Sequence, residues 1–232
     1  SLEATSFLAL QHEWHLPMSL GTPEALRHLR RDAVLKRVIR QVGECTLKPA
    51  RRQPYEALVR AIAHQQVHGR AAEAILGRFI ALCPGPDFPA PDAVLALTPD
   101  AMRGAGLSAN KVLAIRDIAE KAALGVIPNR AAARRLSDEA LIERLVALRG
   151  VGRWTVEMLL IFTLGRADIL PVDDFGVREG YRVAAGLPEQ PKPKALAEIG
   201  EAWAPFRTTA AWYLWRTADL AKEGGFKAPA AI

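Results

Sequence analysis

No stretch of this chain shows convincing period-two alternation of apolar and polar residues over five or more positions, whereas apolar residues recur at helical spacing almost throughout. A sheet with one buried face needs period-two alternation, so the pattern predicts an all-α fold. Residues 23–43 begin Thr22-Pro23-Glu24, a cap followed by proline at the first helical position, and carry Leu26, Leu29, Ala33, Val34, Val38 and Val42. Pro54 opens a second helix with Leu58, Val59 and Ile62, which runs into His64-Gln65-Gln66-Val67-His68-Gly69. Further helices are predicted over about 70–82, from Thr98-Pro99-Asp100, from Ser108, from Ser137-Asp138-Glu139, and over about 153–164, 174–184, 193–203 and 206–222. The breaker clusters at 83–91 and 125–130 read as loops.

The chain has 232 residues, half of them hydrophobic, enough for one large or two small packed lobes. With no Gly/Ser linker and no repeat, the expectation is a two-lobed helical body with a cleft between the lobes. One lobe is expected over about 55–185, the other from 1–54 with 186–232. Trp14 and Leu16 suggest that residues 1–20 cover part of the body. A net charge of +6 favours a polyanionic partner. Two cysteines exclude a four-cysteine zinc or iron–sulfur site on this chain alone. The five histidines form no His-Glu-x-x-His arrangement, and no apolar run approaches membrane-spanning length. A soluble, intracellular protein with reduced cysteines is the expectation.

Within this helical pattern, residues 148–155 read Leu-Arg-Gly-Val-Gly-Arg-Trp-Thr. Gly150 and Gly152 allow a tight bend with little side-chain cover, and Val151 can tuck between the two helices. A helix starting at Arg153 aims free N–H groups and its positive dipole end outward, which suits a phosphate. Arg149 and Arg153 add charge, and Thr155 offers a hydroxyl in the first turn. Such a device grips backbone phosphate without reading sequence. It also fits a plain helix–helix turn.

Downstream lies Pro171-Val172-Asp173-Asp174. Asp173 is placed as an N-cap and Asp174 in the first turn, where the dipole favours a carboxylate. Both aspartates also fit ordinary capping roles.

The order hairpin, apolar helix, short loop, Val-Asp-Asp-Phe resembles the helix-hairpin-helix DNA glycosylase superfamily, and within it the 3-methyladenine DNA glycosylase II group. The resemblance spans about Tyr55 to Ala218. It includes Pro-Tyr-Glu-Ala-Leu-Val-Arg-Ala-Ile-x-x-Gln-Gln (54–66), Leu97-Thr98-Pro99-Asp100, Gly104 to Ala114, and Trp203-Ala-Pro-Phe-Arg207. It implies a base-excision repair enzyme that flips alkylated bases out of double-stranded DNA and hydrolyses the N-glycosidic bond. The catalytic acid of the family falls on Asp174. Trp154 stands where strand-cutting relatives carry a Schiff-base lysine, which implies a monofunctional hydrolase without lyase activity. Trp154, Phe175, Trp203 and Tyr213 are the candidates for the base pocket, with core packing as the alternative for Tyr213.

The resemblance also puts a DNA wedge on the loop after the Gln-Gln helix, with Gln65, Gln66, Val67 and His68 as DNA-contacting candidates. Many relatives have Leu after the first Gln, where this chain has Gln66, so the wedge is open among Gln66, Val67 and His68. Gln65 and His64 also fit helix-terminal hydrogen bonding. The carbonyls of Val146, Leu148 and Val151 match positions that hold a monovalent cation in DNA-bound relatives, and the chemistry needs no cofactor. The extra N-terminal β domain of some relatives is expected to be absent, the protein monomeric, and its location the bacterial nucleoid or the eukaryotic nucleus. Two further readings remain: a non-catalytic module that binds DNA backbone, and a glycosylase for oxidised or mismatched bases.

Overall fold

The computed structural model describes residues 20–67 and 69–229; Trp14, Leu16 and His68 lie outside them. Every regular element among the described residues is helical, as the periodicity predicts. The chain divides into two compact units: a central unit of residues 50–164, and a second unit of residues 20–49 with 165–229. The boundary corrects the expected lobes. Residues 165–185, which carry Asp174, pack with the segments near the two ends of the chain and not with the central segment.

The second unit contains α1 (Pro23–Leu29), α2 (Ala33–Val42), α11 (Phe175–Ala185), α12 (Pro193–Gly200) and α13 (Arg207–Lys222). The helix expected over 23–43 is two helices. Asp32 breaks it, because its carboxylate accepts from the amides of Val34 and Leu35 at 2.8 and 2.9 Å and restarts the chain as an N-cap. Leu35, Val38 and Ile39 then face the core.

α13 is buried along most of its length from Thr208 to Ala218, so it is the axial helix of this unit. α11 packs against it at close range because Gly180 has no side chain: a β-carbon there would overlap the backbone of Leu214. The loop from 165 to 174 is pinned to the start of α13. Arg207 holds Asp168 through two guanidinium hydrogen bonds of 2.7 and 2.8 Å. The Thr208 hydroxyl accepts from the Ile169 amide at 2.9 Å and donates to the Arg166 carbonyl at 2.7 Å. This loop delivers the chain to Asp174.

The central unit contains α3 (Pro54–His64), α4 (Gly69–Ile80), α5 (Pro91–Ala96), α6 (Pro99–Gly104), α7 (Ala109–Ala123), α8 (Arg130–Ala133), α9 (Asp138–Leu145) and α10 (Arg153–Leu159). The short helices α5 and α8 were not anticipated; each forms beside one of the breaker clusters. α7 lies against α3, α5 and α6, with Val112, Ile115 and Ile118 buried. α10 passes into a π turn over Leu160–Leu164. The unit closes where the Ala50 amide donates to the Phe162 carbonyl at 2.7 Å. Arg130 supports the closure by donating to the carbonyls of Ala50, Arg52 and Thr163.

Two alanine substitutions separate packing from propensity. Gly180→Ala should cost about 3 kcal/mol or more, since the backbone of α13 must move. Gly77→Ala, on an exposed face of α4 with nothing near its β-carbon, should instead stabilise by up to ~1 kcal/mol. Urea unfolding of both variants checks the pair.

Candidate functional site

In the central unit α9 and α10 flank the glycine hairpin. Ser137 caps α9 through its hydroxyl, which accepts from the Ala140 amide at 3.2 Å. The helix ends at Val146, and the Val151 amide returns to the Leu148 carbonyl at 3.2 Å. Gly150 turns the chain with φ of +75°, and a β-carbon there would press on Ala114 and Ile62 at 3.2 and 3.4 Å. Val151 is buried. The Arg149 amide donates to Asp117 of α7 at 2.8 Å, which fastens the hairpin to the unit.

Gly152 differs from Gly150. It is the N-cap of α10 with φ of −93°, and a β-carbon there would meet nothing within 4 Å. Neither backbone conformation nor internal packing requires glycine at this exposed position.

The charges around the hairpin are unequal. Arg153 is held by Glu139 through two hydrogen bonds of 3.0 and 3.2 Å and by Glu157 at 3.2 Å. The Glu139 bonds raise its guanidinium above the ordinary arginine value. A phosphate would have to compete with those carboxylates. Arg149 is exposed. Thr155 is buried, so its hydroxyl does not face a ligand as expected: the first turn of α10 rotates it inward. Trp154, its neighbour, is half-buried.

The loop after α3 lies against the hairpin. Gln65 caps the helix, and its side-chain amide donates to the Gly150 carbonyl at 3.1 Å, so the hydrogen-bonding role is realised on the hairpin itself. Gln66 follows, exposed, with φ of +57°; it is the single non-glycine residue with positive φ among the described residues. Such strain collects where function requires a loop to project. Val67 is half-buried.

Beneath this loop the His64 imidazole is buried 3.1 Å from Glu73, close but poorly aligned for a hydrogen bond. Burial holds it below the ordinary histidine value despite that carboxylate. The Lys111 ammonium donates to the Ala63 carbonyl at 2.8 Å, and burial lowers its pKa.

The acid lies in the other unit. Asp174, not Asp173, is the N-cap of α11; Asp173 is exposed. The assignment shifts by one residue because the Pro171–Asp174 turn, closed by the Asp174 amide on the Pro171 carbonyl at 3.0 Å, spends an extra residue before the helix. Asp174 is only 4% exposed. Its Oδ1 accepts from the Val177 amide at 2.8 Å and from the Trp215 indole N–H at 2.7 Å. Phe175, the first helical residue, is 43% exposed beside it.

Two expected pocket residues belong to the core instead. Trp203 is fully buried, donates its indole N–H to Asp32 at 3.1 Å and packs on Tyr181. Tyr213 is fully buried with its hydroxyl on the Gly43 carbonyl at 2.8 Å. Their polar tips are satisfied inside the unit, so neither ring is open to a base. Trp215 went unread as a partner of the acid because nothing in sequence links positions so far apart. The one available signal was the Gly176/Gly180 pair, whose spacing marks a helix face that another element approaches.

Residues 59–205 match the HhH-GPD superfamily of base excision DNA repair proteins. The chain is 46% identical over 194 residues to DNA-3-methyladenine glycosylase 1 of Schizosaccharomyces pombe, covering 82% of this chain and 84% of that protein. It is similar to the solved structure of an S. pombe 3-methyladenine DNA glycosylase in complex with abasic DNA, with a TM-score of 0.78 and 44% identity over 88% of this chain and 99% of that one. It is also similar to the structure of a DNA-3-methyladenine glycosidase from Bacillus halodurans, with a TM-score of 0.79 and 34% identity over 89% of this chain and 94% of that one. The chain therefore belongs to the HhH-GPD superfamily of base excision DNA repair proteins.

The bare backbone at Gly152 yields a direct test. Gly152→Ala should leave stability within about 0.5 kcal/mol of wild type. It should weaken binding to duplex DNA by about tenfold, the loss of one charge-assisted hydrogen bond. Thermal unfolding and fluorescence anisotropy read the two effects separately.

Proposed function

We propose that this protein is a DNA glycosylase that hydrolyses the N-glycosidic bond of alkylated bases, such as 3-methyladenine and 7-methylguanine, in double-stranded DNA. The observation that carries the reading is the Asp174 carboxylate, buried at a helix N-terminus and fixed by two donors. The names of its relatives in S. pombe and B. halodurans support the same substrate class.

The chemistry follows from the bond to be broken. As the C1′–N bond of a flipped nucleotide lengthens, its electron pair leaves with the base and positive charge builds on the deoxyribose. A fixed carboxylate in a site with little water stabilises that charge far better than one in bulk water. Water then adds its oxygen to C1′ and gives up a proton, which Asp174 accepts directly or passes to solvent. A purine alkylated at N3 or N7 is already cationic and departs neutral, so no separate general acid is needed.

The remaining residues serve binding. The hairpin N–H groups of Gly150, Gly152 and Arg153 and the exposed Arg149 contact a backbone phosphate, and glycine at 152 lets that phosphate approach closely. The carbonyls of Val146, Leu148 and Val151, neutral oxygens that follow the C-terminal, negative end of α9, would hold a monovalent cation, which would supply positive charge for a backbone phosphate. Gln66, exposed and held in a strained projecting conformation, is the wedge that fills the gap left by the flipped nucleotide. Phe175, exposed beside the acid, offers an aromatic face to a cationic base, and the family resemblance implies a pocket role for Trp154.

With tryptophan at position 154 no amine stands at the family's Schiff-base position, so the enzyme acts as a monofunctional hydrolase. It acts on DNA as a monomer, at the nucleoid of a bacterium or in the nucleus of a eukaryote.

Asp174→Asn should slow release of 3-methyladenine from methylated duplex DNA by at least about a hundredfold while DNA binding is retained. Chromatography of freed bases measures the first effect and anisotropy the second. A strand-cleavage gel on the wild-type products should show intact strands until alkali is added. Base release at wild-type rate by the variant would refute the mechanism.

A further inference from the structure

The indole of Trp215 is more than cover for the acid. Both the Trp215 N–H and the Val177 amide converge on one oxygen, Asp174 Oδ1, at 2.7 and 2.8 Å. One donor belongs to α11, on which the carboxylate sits; the other comes from α13. Two donors from different helices fix the carboxylate's rotation about its Cβ–Cγ bond, and with it the direction of the second oxygen. The capping bond by itself constrains that rotation less than the two donors together. Trp215 is itself held, being 3% exposed within the axial helix of its unit.

The approach depends on Gly176. A β-carbon there would lie 2.8 Å from Trp215 Cδ1, 3.2 Å from its Nε1 and 3.2 Å from Asp174 Oδ1. One missing side chain thus makes room for the ring, its nitrogen and the oxygen it binds. With Gly180 one turn later it forms the face that lets α13 come in.

We propose that Trp215 is a positioning residue for base excision, acting through its N–H and not through ring bulk, and that Gly176 is the residue that admits it. The proposal rests on the reading of Asp174 as the catalytic carboxylate. A carboxylate free to rotate presents its charge to the sugar in only part of its orientations. Losing the N–H therefore lowers the chemical step and leaves DNA affinity alone.

The test is single-turnover release of 3-methyladenine from methylated duplex DNA by the full chain, beside anisotropy on the same duplex. Trp215→Phe keeps a ring and removes the N–H. Its rate should fall about tenfold to a hundredfold, the range for one hydrogen bond to a charged group, with binding within about twofold of wild type. Gly176→Ala leaves the N–H in place but displaces it, and should show the same split.

A spectrum independent of activity guards against a folding defect. In the wild type, the Trp215 indole N–H resonance, assigned by its loss in Trp215→Phe, should move on Asp174→Asn, and the indole signals of Trp203 and Trp212 should not. Wild-type rates in a folded Trp215→Phe, with Asp174→Asn inactive, overturn the positioning role alone. An indole resonance unmoved by Asp174→Asn also overturns it, whatever the stability of the other variants. Wild-type rates in Asp174→Asn overturn the catalytic reading and this proposal together.

Discussion

The closeness of α11 to α13 governs most of what this protein presents at its acid. Gly176 and Gly180 remove two side chains from one face of α11, and Leu214 and Trp215 occupy the space. That contact buries Asp174, brings it an indole donor and keeps α13 at the centre of its unit. Burial of an acid is costly unless its charge is met by donors, and the N-terminus of α11 together with Trp215 meets it. Stability and the proposed chemistry therefore lean on the same pair of helices.

Each unit carries one part of the proposed machinery. The central unit holds the hairpin, stiffened by Asp117 and Gln65, and next to it the strained loop at Gln66. The other unit holds Asp174, delivered by a loop that Asp168, Arg207 and Thr208 pin down. Within each unit the functional backbone is tied to a rigid helix by side-chain hydrogen bonds. This is what a site needs when the geometry must survive the unstacking of a base, which costs a few kcal/mol.

Glycine carries two distinct roles around the hairpin. At Gly150 the backbone demands it, through positive φ and the press of Ala114. At Gly152 neither a positive φ nor a close neighbour among the described residues does, and the bare α-carbon there supports the proposed contact with a DNA backbone. The arginines divide similarly: Arg153 is committed to Glu139 and Glu157, and Arg149 remains at the surface.

The helical fold, the hairpin and the acid segment were legible in the sequence because each depends on neighbours within a turn or two. Apolar spacing sets a helix, a proline or aspartate starts one, and glycine bends a short connection. Even the break at Asp32, passed over in favour of one long helix, was written locally as a cap. Other features depend on residues far apart in the chain, and only the tertiary structure decided them. Whether a tryptophan faces a ligand or the core depends on which helix packs over it: Trp203 and Tyr213 went inward, and Trp215 turned its N–H to Asp174. Residues 165–185 joined the unit near the chain's ends because long-range packing against α13 outweighs sequence adjacency to the hairpin helix. Periodicity reports that a side chain is buried; only packing reports against what.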